Sequence, residues 1–279
     1  MTLTRREVAD LLSRSGIRPS RALGQNFVVD PNTVRRVARL AGVAPGDRVV
    51  EIGAGLGSLT LALAETGADV VAVELDRYVL PVLRSVVEQA DVRVVEGDAL
   101  RLDWDAVLGE GPGPPWVLVA NLPYNVATPL VLTLLERAPM IGRMLVMVQR
   151  EAGERLAAGP GDPAYGAVSV KVAYRAVAKV VGRVPATVFV PQPRVESVLV
   201  SVSRRPEPAV AVDEGRLFAL IEAGFAHRRK MLRRALAGVV DEASFEAAGV
   251  RPEARAEELG IEAWGRLTEC MTASGPSPS

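Results

Sequence analysis

Between about residue 45 and residue 150, short runs of β-branched residues alternate with stretches of helical spacing. "RVVEIG" precedes "LTLALAET", "DVVAVE" precedes "VLPVLRSVVEQ", "VRVVEGD" follows, "WVLVAN" precedes "PLVLTLLER", and "MLVMVQRE" closes the series. The strand runs are almost continuously apolar, as in strands covered by helices on both faces, and the alternation predicts a parallel α/β sheet. After Ala178 two further β-like runs, "AKVVGRV" and "SVLVSVSRR", flank the proline-rich "FVPQPRVE" and predict an antiparallel hairpin at the sheet edge. "RRPEPAV" marks a boundary. Beyond it "RLFALIEAGFAHRRKMLRRAL" and "DEASFEAAG" carry amphipathic helical spacing. The expected domains are residues 1–205 around the sheet, a small helical domain at 206–272, and a flexible tail, "ASGPSPS", at 273–279.

Composition narrows the chemistry. The chain of 279 residues has one cysteine, Cys270, and one histidine, His227, which excludes disulfide frameworks, Cys/His zinc sites and Ser-His-Asp or Cys-His triads. No metal is expected. The longest stretch without charge, Gly111 to Leu135, contains five prolines and cannot be one membrane-spanning helix. The N-terminus carries charge every few residues and lacks the apolar core of a secretory signal, so a cytoplasmic protein is expected. A monomer is the default expectation.

Net charge is zero, but unevenly distributed: residues 1–40 carry +5, residues 221–237 carry +4, and residues 238–262 carry −5. Solvated helix faces account for such patches in the absence of a nucleic-acid signature.

The glycine-rich "VVEIGAGLGSLT" follows a strand and opens a helix, so Gly53 and Gly55 let the backbone turn tightly and approach a ligand. Its spacing is GxGxG, with Ser58 where a dinucleotide fingerprint places its third glycine, which disfavours NAD. Glu74 ends the next strand, twenty-one residues after Gly53, where a carboxylate accepts ribose hydroxyls. Asp98 ends the third strand and can accept from an exocyclic adenine amine. Together these strand ends resemble the class I S-adenosylmethionine-dependent methyltransferases, with their Rossmann-like sheet.

The fourth strand delivers "NLPY" to the same edge, resembling methyltransferases that act on exocyclic amino nitrogens. An aromatic amine is a poor nucleophile because its lone pair is delocalised. It needs acceptors for its hydrogens, which the Asn121 side-chain oxygen and the Leu122 carbonyl can supply. Pro123 fixes the backbone that presents them, and Tyr124 can stack on a base lifted from its surroundings. Phe189 is the candidate for the other face.

"RALGQNFVVD", "EIGAGLGSLT", "NLPYNVATPLV", "YGAVSVKVAY", "FVPQPRVESVLV", "FAHRRKMLRRAL" and "GVRPEARAEEL" are, in this order, similar to the ribosomal RNA adenine N6,N6-dimethyltransferase family. The resemblance implies cofactor contacts at Asn26, Val28, Gly53, Glu74, Asp98 and Asn121, with Gln25 beside them and the N-terminal segment folded over the pocket. It implies a base clamp at Asn121, Leu122, Pro123, Tyr124 and Phe189, and RNA phosphate contacts at Arg228, Arg229, Lys230, Arg233 and Arg234 on a helix face. GQNF, NLPYN, the "YGAVSV" segment and "FAHRRKMLRRAL" resemble the small-subunit branch, whose members dimethylate two adjacent adenosines near the 3′ end of 16S ribosomal RNA during subunit assembly. The macrolide-resistance branch, which modifies large-subunit RNA, more often shows SQNF and NIPY. A non-catalytic assembly factor is the rival from another class.

Overall fold

The computed structural model describes residues 2–20, 23–109, 113–123 and 126–273. It divides into two compact units, one comprising residues 1–153 and 178–204 and the other residues 154–177 and those from 205 onward.

The first unit begins with α1 (Arg5–Ser15), which opens on a capping box in which the Thr4 hydroxyl accepts from the Glu7 amide and the Glu7 carboxylate accepts from the Thr4 amide. The chain continues through β1 (Phe27–Val28), α2 (Pro31–Leu40), β2 (Arg48–Ile52), α3 (Ser58–Ala64), β3 (Asp69–Glu74), α4 (Leu80–Val86), β4 (Val92–Glu96), α5 (Trp104–Leu108), β5 (Trp116–Asn121), α6 (Ala127–Arg137) and β6 (Ile141–Gln149). Next come α7 (Arg150–Ala157), α8 (Ala167–Arg175), β7 (Ala176–Val184), β8 (Phe189–Val190) and β9 (Ser197–Arg204). The seven-stranded sheet has the order β4-β3-β2-β5-β6-β9-β7. Strands β2 to β6 pair in parallel, and β9 runs antiparallel to β6. Each strand run expected from the apolar pattern is present. The late pair, β9 and β7, lies at the edge.

The apolar runs are continuous because the central strands are covered on both sides: Val49, Val50, Val70, Leu118, Val119, Ala120 and Val146 are all 3% exposed or less. The order reverses between β2 and β5, where ligands bind in sheets of this kind, beyond the carboxyl ends of the strands. Arg204 ties the far end of α6 down. Its guanidinium donates to the carbonyls of Leu134, Leu135, Ala138 and Ile141 at 2.7–3.0 Å, supplying partners to carbonyls that a helix end leaves unpaired.

The second unit gathers α8 with α9 (Glu214–Ala226), α10 (Leu232–Ala235), α11 (Glu242–Ala247) and α12 (Ile261–Ala273). Its core is built on Trp264, fully buried, with Leu217, Ile221, Leu232, Phe245 and Leu267 around it. Gly224 permits the close packing, since a Cβ there would meet the Trp264 ring at 2.5 Å. Two expectations are corrected. Residues 154–177, assigned from sequence to the sheet domain, belong to the helical unit, because Tyr165, Val170 and Tyr174 bury into its core and the Tyr165 hydroxyl donates to the Leu259 carbonyl at 2.8 Å. "FAHRRKMLRRAL" is not one helix: α9 ends at Ala226, residues 227–230 turn, and Met231 bridges to Arg255 before α10 begins. Residues 274–279 of the expected tail lie outside the described residues. Among the described residues no helix is long and apolar enough to cross a membrane.

Candidate active site

A cavity of about 230 Å³ opens at the carboxyl ends of β2, β3, β4 and β5, within the sheet unit. All eight residues expected to contact a cofactor line it: Gln25, Asn26, Val28, Gly53, Gly55, Glu74, Asp98 and Asn121, joined by Pro123.

The glycine turn shapes one wall. Gly53 and Gly55 have φ of 73° and 57°, left-handed values that favour glycine. A Cβ on Gly55 would also meet the Phe27 ring at 3.0 Å, so the GQNF segment rests directly on this turn. That segment is held from two sides. Val28 pairs with Phe189 and Phe27 with Val190 in a two-stranded ribbon of β1 and β8. Gln25 donates through Nε2 to the Asp76 carboxylate at 2.8 Å.

Glu74 is 7% exposed, and its carboxylate accepts from the Gly55 amide at 2.7 Å and from the Leu75 and Asp76 amides at 2.9 Å. Burial pushes its pKa upward against the opposing pull of those amides. Asp98 accepts from the Leu100 amide at 3.0 Å and lies 3.6 Å from the Arg101 guanidinium.

Glu51 also lines the cavity, and sequence reasoning missed it. It is 1% exposed, accepts from the Thr60 hydroxyl at 2.5 Å, and burial together with the nearby Glu74 pushes its pKa up to about 8 against the pull of that hydrogen bond. The available signal was a carboxylate inside an apolar strand run, Val49-Val50-Glu51-Ile52, where solvation cannot be the reason for it.

Asn121 ends β5. Its Nδ2 donates to the Asn26 carbonyl at 2.9 Å. One of the two amide hydrogens is thereby engaged, and among the described residues no donor reaches Oδ1. Leu122 is 1% exposed, and its amide donates to the Met147 carbonyl at 3.0 Å. The Pro123 carbonyl accepts from the Val126 and Ala127 amides at 3.1 Å, which starts α6 directly behind the loop. Tyr124 lies outside the described residues. Phe189 does not present an open face: it is 1% exposed, absent from the cavity lining, and packed in the sheet unit's core with Val28 opposite it. To cover a base its ring would have to leave that core.

The basic residues of the helical unit divide. Arg228 is held by the Glu257 carboxylate at 2.7 Å and the Pro163 carbonyl at 3.0 Å, and Arg233 lies 3.5 Å from Glu253. Arg229, Lys230 and Arg234 are exposed and make no ion pair among the described residues. The expected stripe on one helix face is instead a turn followed by a short helix.

The family model for ribosomal RNA adenine dimethylases matches residues 18–273. The chain belongs to this family. It is 50% identical over 276 residues to the ribosomal RNA small subunit methyltransferase A of Kineococcus radiotolerans, covering 95% of this chain and 90% of that one. With the protein of the same name from Streptomyces griseus it shares 48% identity, over 94% of this chain and 93% of the other. Among solved structures, the 23S rRNA methyltransferase ErmE superposes with a TM-score of 0.69 at 26% identity, covering 88% of this chain and all of that one. A dimethyladenosine transferase from Plasmodium falciparum gives 0.71 at 22% identity over 86% of this chain and 95% of that one, a likeness of fold.

This dimethylase is a class I methyltransferase and draws its methyl group from S-adenosylmethionine. Its cavity fits that donor. The lining carries two carboxylates, Glu74 and Asp98, able to accept from hydroxyls and from an amine, and Leu75, 51% exposed at the cavity wall, as an apolar surface. Two acids, Glu51 and Glu74, line the same wall from the adjacent strands β2 and β3, and burial favours the protonated, neutral form of Glu51 near neutral pH.

Proposed function

We propose that this dimethylase methylates N6 of two adjacent adenosines near the 3′ end of small-subunit ribosomal RNA during ribosome assembly, acting as a monomer in the cytoplasm. The observation that carries the choice of substrate is identity near one half, along almost the whole chain, with enzymes named for the small subunit, against 26% with the 23S rRNA enzyme.

S-adenosylmethionine supplies an activated methyl group on a positively charged sulfur. The residues of this chain do the positioning. Glu74 and Asp98 hold the ribose and the adenine of the donor, with Gln25, Asn26, Val28, Gly53 and Gly55 shaping its enclosure. Asn121 Oδ1 accepts one N6 hydrogen of the target adenine, turning the nitrogen lone pair out of the ring plane, and the Leu122 carbonyl takes the second. After one transfer a single N6 hydrogen remains, and one acceptor suffices for the second methylation. The proton leaves once the nitrogen has gained its methyl and become acidic, so no strong base is required. Tyr124 stacks on the target base. Arg229, Lys230 and Arg234 contact RNA phosphates, while Arg228 and Arg233 serve chiefly to shape the helical unit.

The test is transfer of isotopically labelled methyl groups to unmethylated small subunits, large subunits and free RNA in parallel. Label confined to the small subunit is expected. Label in the large subunit would move the enzyme to the resistance-type reaction, and cofactor binding without transfer would leave an assembly factor.

A further inference from the structure

The loop after β3 carries an exposed pair that the cofactor cavity does not use. Tyr78 is 67% exposed, the most exposed of the large apolar side chains among the described residues. The Arg77 guanidinium lies 4.9 Å from its ring centroid and donates to its hydroxyl at 2.9 Å. The fold gives the ring no packing role: the neighbouring Val79, fully buried, anchors this loop instead.

The loop is nevertheless held in place. The Tyr78 amide donates to Asp76 Oδ1 at 2.9 Å, and Asp76 Oδ2 accepts from Gln25 of the cavity wall at 2.8 Å. Leu75, three residues before Tyr78, lines the cavity itself. A flat aromatic face therefore stands on a fixed loop after β3, on the same carboxyl edge of the sheet as Asn121 at the end of β5, two strands away, with a cation bound against it.

Unpaired nucleotides bind surfaces of this chemistry, stacking on the ring while a guanidinium meets the phosphate or adds its own planar contact. We propose that Arg77 and Tyr78 form a stacking platform for an unpaired nucleotide of the RNA substrate that flanks the adenosine being methylated. The proposal rests on the RNA-methylating function above.

The test measures binding of unmethylated small subunits to the full chain and to its Tyr78→Ala and Tyr78→Phe variants, with kcat and KM for the subunit and calorimetric binding of S-adenosylmethionine alongside. Tyr78→Ala is expected to weaken subunit binding and raise KM by about tenfold, the scale of removing one base stack, with cofactor binding unchanged. Tyr78→Phe, which keeps the ring, is expected to stay within about twofold of the parent. Unchanged binding by Tyr78→Ala overturns the platform while leaving the function intact, as does a Phe variant as weak as the Ala variant. Loss of cofactor affinity in Tyr78→Ala would also overturn it, assigning the ring to the donor instead. A parent chain that neither binds nor methylates small subunits overturns both readings.

Discussion

Asn121 and Asn26, 95 residues apart, are joined by a hydrogen bond of 2.9 Å from the side-chain nitrogen of the first to the backbone carbonyl of the second. This bond does two things. It ties the N-terminal GQNF segment to the end of β5, and it orients the side-chain amide so that Oδ1, its one acceptor, has no donor among the described residues. On this basis Asn121→Ala should lower kcat by about 10²-fold, the scale typical of removing one polar group that acts on the reacting atoms. Single-turnover kinetics with saturating cofactor measures it. A loss confined to KM would show that the side chain serves binding alone.

Glu51 makes the cavity sensitive to pH. Its folded pKa of about 8 lies above the ordinary value of 4.5, so the folded chain holds a proton that the unfolded chain releases between those values. Its contribution to stability is therefore full below pH 4.5 and is lost as pH rises through 8, with a slope of about 1.4 kcal/mol per pH unit. Glu51→Gln should flatten this part of the stability profile, as measured by denaturant unfolding across the range. A cationic ligand opposes the burial effect. The preference of the parent chain for S-adenosylmethionine over its neutral demethylated product should therefore grow from about pH 6.5 to about pH 8.5 and be blunted in the Gln variant.

Gly55 tests the enclosure of the donor. With φ of 57° and the Phe27 ring 3.0 Å from any added Cβ, Gly55→Ala should cost about 1–2 kcal/mol of stability and displace the GQNF segment. Thermal unfolding and calorimetric cofactor titration should move together. Weakened cofactor binding at unchanged stability would indicate that Phe27 shifts freely.

Arg229 and Lys230 differ from Arg228 in a way only the folded chain reveals. Charge reversal at the exposed pair should weaken subunit binding and reduce the dependence of log K on log salt by about one unit for each phosphate no longer neutralised, with stability unchanged. Arg228→Glu should instead lower stability, because it sets two carboxylates against each other at Glu257. Equal salt slopes for the parent and the reversed pair would remove these residues from the RNA interface.

What could be read in the sequence follows from which interactions are local. The strands were legible because burial on both faces leaves an unbroken apolar run, and the strand ends place Gly53, Glu74, Asp98 and Asn121 on one edge once the sheet is known to be parallel. The surroundings of Phe189 were not legible because its partner, Val28, lies 161 residues away, and an aromatic beside a proline-rich segment looks the same whether it faces a cavity or a core. The break after Ala226 was hidden for a similar reason: helical spacing continues through it, but Met231 pairs with Arg255 across the helical unit. Residues 154–177 join that unit through tyrosines whose partners come later in the chain.

The most direct test of the amine clamp is nucleoside mass spectrometry of RNA from unmethylated small subunits after reaction with the parent chain, with Asn121→Ala as control. N6,N6-dimethyladenosine at two residues per RNA, lost in the variant, is the result expected if Asn121 presents its oxygen to N6. Methyl groups found on ribose or on another base position, or dimethylation undiminished in Asn121→Ala, would contradict it.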